Sequence, residues 1–138
     1  MKKHNIIISI VGAVIISCIL FLCESSVLAE SVLSAEEVTQ LFSGKTVEGI
    51  NVGRGIKWKA YHDSNGTIRV QFSKGKRQGK WYVDNDGRMC LKFEDQSKEN
   101  CQIIVNDGGV YKKFKVKRGN RQQVARFTKF TEGNLYGL

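Results

Sequence analysis

The chain has 138 residues, 22 of them Lys or Arg and 13 Asp or Glu, so its formal net charge is +9. That length suits one ordinary domain, and 41% hydrophobic residues is too apolar a composition for a disordered chain. The absence of proline excludes collagen-like and proline-rich linker character, and no internal repeat is present.

Lys2 and Lys3 form a short basic head, and an apolar run follows over residues 6–22. Ser25 and Ser26 then lead into Val27-Leu28-Ala29, with small residues where a leader peptidase reads them. This pattern predicts a secretory signal peptide over residues 1–29, cleaved before Glu30, and a single β-rich domain over residues 30–138. Two other readings share the segment. A run of 17 residues (6–22) is near the lower limit for spanning a bilayer, which would leave an uncleaved anchor. Ile15-Ile16-Ser17-Cys18 also fits a loose consensus for lipid attachment at Cys18. Cleavage after Ala29 leaves 20 basic and 12 acidic side chains, a charge of +8, in a periplasmic or secreted protein. It also removes Cys18 and Cys23. Cys90 and Cys101 then read as one disulfide, because the destination is oxidising. A metal site would need close-spaced ligand pairs, and His62 is the only histidine in residues 30–138, so no metal or cofactor is expected.

Ser34-Ala35-Glu36-Glu37 is a capping box, with Leu33 and Val38 placed as a hydrophobic staple. Val38, Leu41 and Phe42 share one helical face and Gly44 is placed to stop the helix, which predicts one short helix over about 35–43. From Lys45 onward the period becomes two: Ile56, Trp58 and Ala60 alternate with Lys57, Lys59 and Tyr61, and Ile68, Val70 and Phe72 with Thr67, Arg69 and Gln71. Asn-Gly, Asp-Gly and Gly-Asn turns punctuate the runs. The rhythm predicts a mostly β fold: an antiparallel meander of eight strands, at about 46–50, 56–62, 67–73, 79–83, 88–94, 100–106, 110–117 and 122–131, closing as a small barrel or sandwich. A register with Cys90 directly opposite Cys101 sets Met89 and Leu91 against Gln102 and Asn100, apolar against polar, which an offset or a bulge would avoid.

Few residues invite catalysis. His62 precedes Asp63, but neighbours on a strand point to opposite faces, so the sequence reads His62 as a surface residue flanking a turn. No nucleophile elbow, zinc-helix motif or phosphate loop is present, and Gly53-Arg54-Gly55 is a turn. Asp84-Asn85-Asp86-Gly87 resembles the start of a calcium loop, yet its twelfth position is Asp95 and a hairpin turn explains it better. No enzyme is expected. Lys113, Lys115 and Lys117 share a strand face with Tyr111; Lys57 and Lys59 share one with Tyr61; Lys74, Lys76, Arg77 and Lys80 surround one turn. These nine form the candidate anion-binding surface. Export makes nucleic acid an unsuitable partner and leaves anionic lipid, lipopolysaccharide or acidic polysaccharide. The bland alternative is lysines that keep exposed strands from pairing with other chains. Trp58 and Trp81 are expected in the core.

Gly79-Lys80-Trp81-Tyr82-Val83, then Asp86-Gly87-Arg88-Met89-Cys90, then Cys101, together with Gly44-Lys45-Thr46 and Asn65-Gly66-Thr67, resemble small exported proteins of Gram-negative bacteria classed as domains of unknown function. The resemblance spans about residues 33–116 and implies a periplasmic β-rich domain, without site residues or activity. The expectation is therefore a non-catalytic binding or envelope-accessory module whose basic surface meets anionic envelope components. Two alternatives are an inhibitor or partner of another exported protein and a barrel that holds a small ligand. The latter needs a cavity, whereas an interior filled by Trp58, Phe72, Trp81, Phe93 and Phe114 would be solid.

Overall fold

The computed structural model describes residues 29–138. Apart from Ala29 itself, the leader over residues 1–29, the lipid-attachment reading at Cys18 and the anchor reading over residues 6–22 lie outside the described residues.

A short strand β1 (Ser31–Val32) and a helix α1 (Ala35–Phe42) come first. Eight strands follow: β2 (Lys45–Asn51), β3 (Ile56–His62), β4 (Thr67–Phe72), β5 (Gly75–Val83), β6 (Met89–Phe93), β7 (Asn100–Asp107), β8 (Val110–Lys117) and β9 (Asn120–Glu132). Each pairs antiparallel with the next, and β9 returns to pair with β2, so the meander closes as an eight-stranded barrel. Closure gives every strand two neighbours and removes the sheet edge. The strand expected from residue 79 begins at Gly75, whose φ of +153° completes a tight turn. The unforeseen β1 is too short to show a period. It pairs with Val105 and Asn106 on the side of β7 where β6, which reaches only Asn100 to Gln102, has run out.

The capping box forms as predicted: the Ser34 amide donates to Glu37 Oε2 at 2.7 Å, and the Glu37 amide donates to Ser34 Oγ at 3.2 Å. Gly44 follows with a φ of +70°. The helix buries Val38 and Phe42 completely. The Phe42 ring meets His62, Phe127 and Phe130 edge-on at 5.1, 5.0 and 5.3 Å, so α1 stops one end of the barrel. Val47, Ala60, Ile68, Trp81, Met89 and Ile104 complete the core under the helix.

Two irregularities on β9, opposite Glu48/Gly49 of β2 and Lys113/Phe114 of β8, bend this longest strand around the closure. Gly49 is required nearby: a Cβ there would lie 2.4 Å from the Trp58 ring, which packs across it. Cys90 and Cys101 form the expected disulfide and are directly opposite, with Met89 against Gln102 and Leu91 against Asn100. No offset occurs, and no bulge interrupts that ladder. Apolar meets polar there because Leu91, Asn100 and Gln102 line a cavity, where a side-chain amide is not forced into a dry core.

Candidate functional site

Between the core and the open end, the barrel holds a cavity of about 520 Å³. That lies within the range of roughly 300–1,000 Å³ usual for small-molecule sites. Ile56, Trp58, Phe72, Leu91, Phe93 and Phe127 supply apolar walls, with Asn100, Gln102 and Gln123 as polar interruptions. Four cations, Arg54, Arg77, Lys113 and Lys115, also line it, and among the described residues no Asp or Glu does. Of the five aromatics that would have made the interior solid, Trp58, Phe72 and Phe93 line this cavity rather than fill it.

The strand β8 explains why. Its two faces are Val110, Lys112, Phe114 and Val116 on one side, and Tyr111, Lys113, Lys115 and Lys117 on the other. Hydrophobicity alone would turn the first set inward. Instead Lys113 pairs with buried Ile104 and Ala125, while Val110 and Val116 are 42% and 49% exposed. Phe114, expected inside, is half-buried on the opposite face from Lys113. Lys113, expected on an exposed face, is only 8% exposed. Barrel closure fixes the direction of every strand face at once, so β8 follows its neighbours against its own preference.

Burial pulls the Lys113 amine down to about 8 from an ordinary 10.5. Among the described residues, no carboxylate forms an ion pair with it. Arg77 differs. Its Nη2 lies 2.6 Å from Asp95 Oδ1, its guanidinium stacks 4.2 Å from the Phe93 ring centre, and the pairing holds the Asp95 carboxyl below its usual range.

His62, expected at the surface, is 2% exposed and held between the Phe42 and Trp81 rings, 5.1 and 5.3 Å away. Its even-numbered position on β3 matches inward Trp58 and Ala60, a parity visible in the sequence. Burial first, and the charge of Lys113 second, lower its pKa to about 3. Its Nδ1 has no hydrogen-bond partner among the described residues. Asp63 is turned elsewhere: its Oδ1 accepts from the Asn65 amide at 3.1 Å, and Oδ2 lies 3.8 Å from Arg69. This histidine and aspartate therefore form no general-base pair.

The nine candidate cations divide. Arg77, Lys113 and Lys115 line the cavity. Lys57, Lys59, Lys76 and Lys80 lie on the outer face of β3 and β5, Lys59 Nζ resting 3.8 Å over the Tyr136 ring. Lys74 occupies the β4–β5 turn, and Lys117 ends β8 at the mouth. Lys92, which sequence reasoning omitted, stands directly opposite Lys80. Arg54 and Gln102 were also missed as lining residues; a Gln among the apolar residues of β7 was the one available sign. Trp81 is core, as expected, its Nε1 donating to the Asp63 carbonyl at 2.8 Å, whereas Trp58 faces the cavity and donates to Asn51 Oδ1 at 3.0 Å.

The acidic turn is occupied by its own chain. Asp84 Oδ1 accepts from the Asp86 and Arg88 amides at 3.0 and 2.9 Å, and Oδ2 accepts from Arg88 Nε at 2.7 Å. Asp84 also lies close to Cys90 and Cys101, but their sulfurs are joined to each other and are poor metal ligands in that state. No curated protein and no solved structure matches the chain. A family model described as a protein of unknown function (DUF995) matches residues 22–117, from the end of the N-terminal apolar run to the last residue of β8. With well over half of its length matched, the chain belongs to the DUF995 family of proteins of unknown function.

Proposed function

We propose that this protein is an exported, periplasmic, non-catalytic binding module that takes a small ligand into its barrel. The observation that carries this reading is the cavity of about 520 Å³, stopped at one end by α1 and open at the other. Aromatic and aliphatic walls with a few polar groups are what such sites use to bury a ligand and orient it. Base chemistry at His62 is disfavoured because its ring is sealed among aromatic rings and kept neutral. Export rests on the leader pattern of residues 1–29.

Mass spectrometry of protein recovered from the periplasmic fraction tests both parts. The denaturing spectrum should give a chain starting at Glu30 and lacking two hydrogens for the Cys90–Cys101 bond. The native spectrum should exceed it by a discrete adduct. A bare native mass, with no thermal stabilisation by a panel of apolar small molecules, would overturn the lumen reading. An intact or acylated N-terminus would overturn soluble export.

A second reading has its own observation. Lys80 and Lys92 stand directly opposite on the outer wall, with Lys76, Lys57 and Lys59 on nearby outward positions. Like charges across a ladder cost stability, so a stripe of them suits an anionic partner. In this reading the outer face meets anionic lipid, lipopolysaccharide, acidic polysaccharide or an acidic protein of the envelope.

A further inference from the structure

Lys113 is the costliest residue in the cavity and the least compensated. A buried ammonium gives up much of its hydration, and proteins normally offset that through a carboxylate partner. Arg77, nearer the mouth, has such a partner in Asp95. Lys113, midway along β8 and 8% exposed, has none among the described residues. The same strand turns Val110 and Val116 out to solvent in order to turn Lys113 and Lys115 in. Local rules broken without a structural gain are found where a site needs them. Among the described residues the walls carry no acidic side chain that could meet this charge.

We propose that the ligand is an amphiphile with a single anionic group, which enters first and pairs with Lys113 while its apolar body lies towards the mouth. This rests on the lumen reading above. The lysine ammonium is a compact charge with three rotatable donors, suited to one carboxylate-sized head. Gln102, 7% exposed and also on the cavity wall, adds a side-chain amide. Trp58, Phe72 and Phe93 provide the surface for the body, and Arg54 and Lys115 give the entrance a potential that draws anions in.

The test compares submicellar dodecanoate with 1-dodecanol, matched in chain and differing in charge, by calorimetry and by the fluorescence of Trp58, read in a Trp81→Phe background. Dodecanoate should bind roughly tenfold or more tightly than the alcohol. Lys113→Met should abolish that preference and leave alcohol binding within about twofold. Lys115→Met, at the entrance, should keep most of the preference. Equal affinities of acid and alcohol in the unmodified chain would overturn the anionic head and leave the lumen reading standing. An undiminished preference in Lys113→Met would do the same for the role of that residue. Failure of both ligands to bind would overturn the inference together with the lumen reading. The comparison on the unmodified chain decides the head-group chemistry even if a variant does not fold.

Discussion

Lys113 and His62 share the barrel interior, and each pays for it in a different pH range. The folded Lys113 amine titrates near 8 and the unfolded one near 10.5. Below about pH 8 both states are protonated and the folded state carries the full burial cost. Between pH 8 and 10.5 the unfolded chain holds the extra proton, so stability rises with pH through that window. Lys113→Met should therefore stabilise the protein near pH 7 by about 1–3 kcal/mol, with the gain shrinking towards pH 10.5. Urea unfolding at pH 7 and pH 10 measures both, and a destabilised variant at pH 7 would contradict the account. His62 acts on the acid side. Its pKa falls from 6.5 to about 3 on folding, so contributions present above pH 6.5 are lost as the pH drops towards 3. The loss should reach about 1.4 kcal/mol per pH unit, and His62→Leu should lose that part of the slope when unfolding is followed from pH 7 to pH 4. Both positions were visible as titratable residues in the sequence. Their burial was missed at both: for His62 although strand parity with Trp58 and Ala60 signalled it, and for Lys113 because its neighbours Val110, Phe114 and Val116 point the pattern the wrong way.

At the scale of elements, α1 and the turns were the most legible. Ser34 and Glu37 satisfy helix-end groups that depend on three residues of separation, and Gly44 has the positive φ its place demanded. What the helix does was not legible, because Phe42 finds its partners on β3 and β9, far away in the chain. Phe42→Ala should cost about 3–5 kcal/mol by leaving a void at the stopped end of the barrel, read as a lower unfolding midpoint. A loss under about 1 kcal/mol would mean that the helix is not the stopper described. Gly49 gives a sharper case. A methyl group there would stand 2.4 Å from the Trp58 ring, so Gly49→Ala should displace the indole into the cavity. The expected signature is a shifted Trp58 emission together with weakened ligand binding. The strand β1 went unforeseen because two residues carry no periodicity, and its place follows only from where β6 stops.

For the whole molecule, the basic charge is partitioned by the barrel wall. Arg77, Lys113 and Lys115 face inward, while Lys57, Lys59, Lys76, Lys80 and Lys92 face outward. The two groups predict separable behaviour. Binding to vesicles containing anionic lipid should weaken steeply between about 0.05 and 0.5 M salt, since the screening length falls from about 14 to about 4 Å over that range. It should also fall in a Lys80→Gln/Lys92→Gln variant, with lumen binding unchanged. Co-sedimentation across a salt series measures this, and salt-independent binding would count against the outer stripe.

By itself, the sequence determined the helix and its cap, all eight barrel strands within a few residues, their meander order and the cysteine pair. Each of these depends on neighbours in the chain: hydrogen bonds three or four residues apart, turns that need a positive φ, and alternation along one strand. Barrel rather than sandwich, the direct Cys90–Cys101 register and the cavity were decided only by tertiary structure. Closing β9 onto β2 makes one choice of inner face binding on every strand. The summed burial of Val47, Trp81, Met89, Ile104 and their neighbours then outweighs the local preference of β8 and carries Lys113 inside.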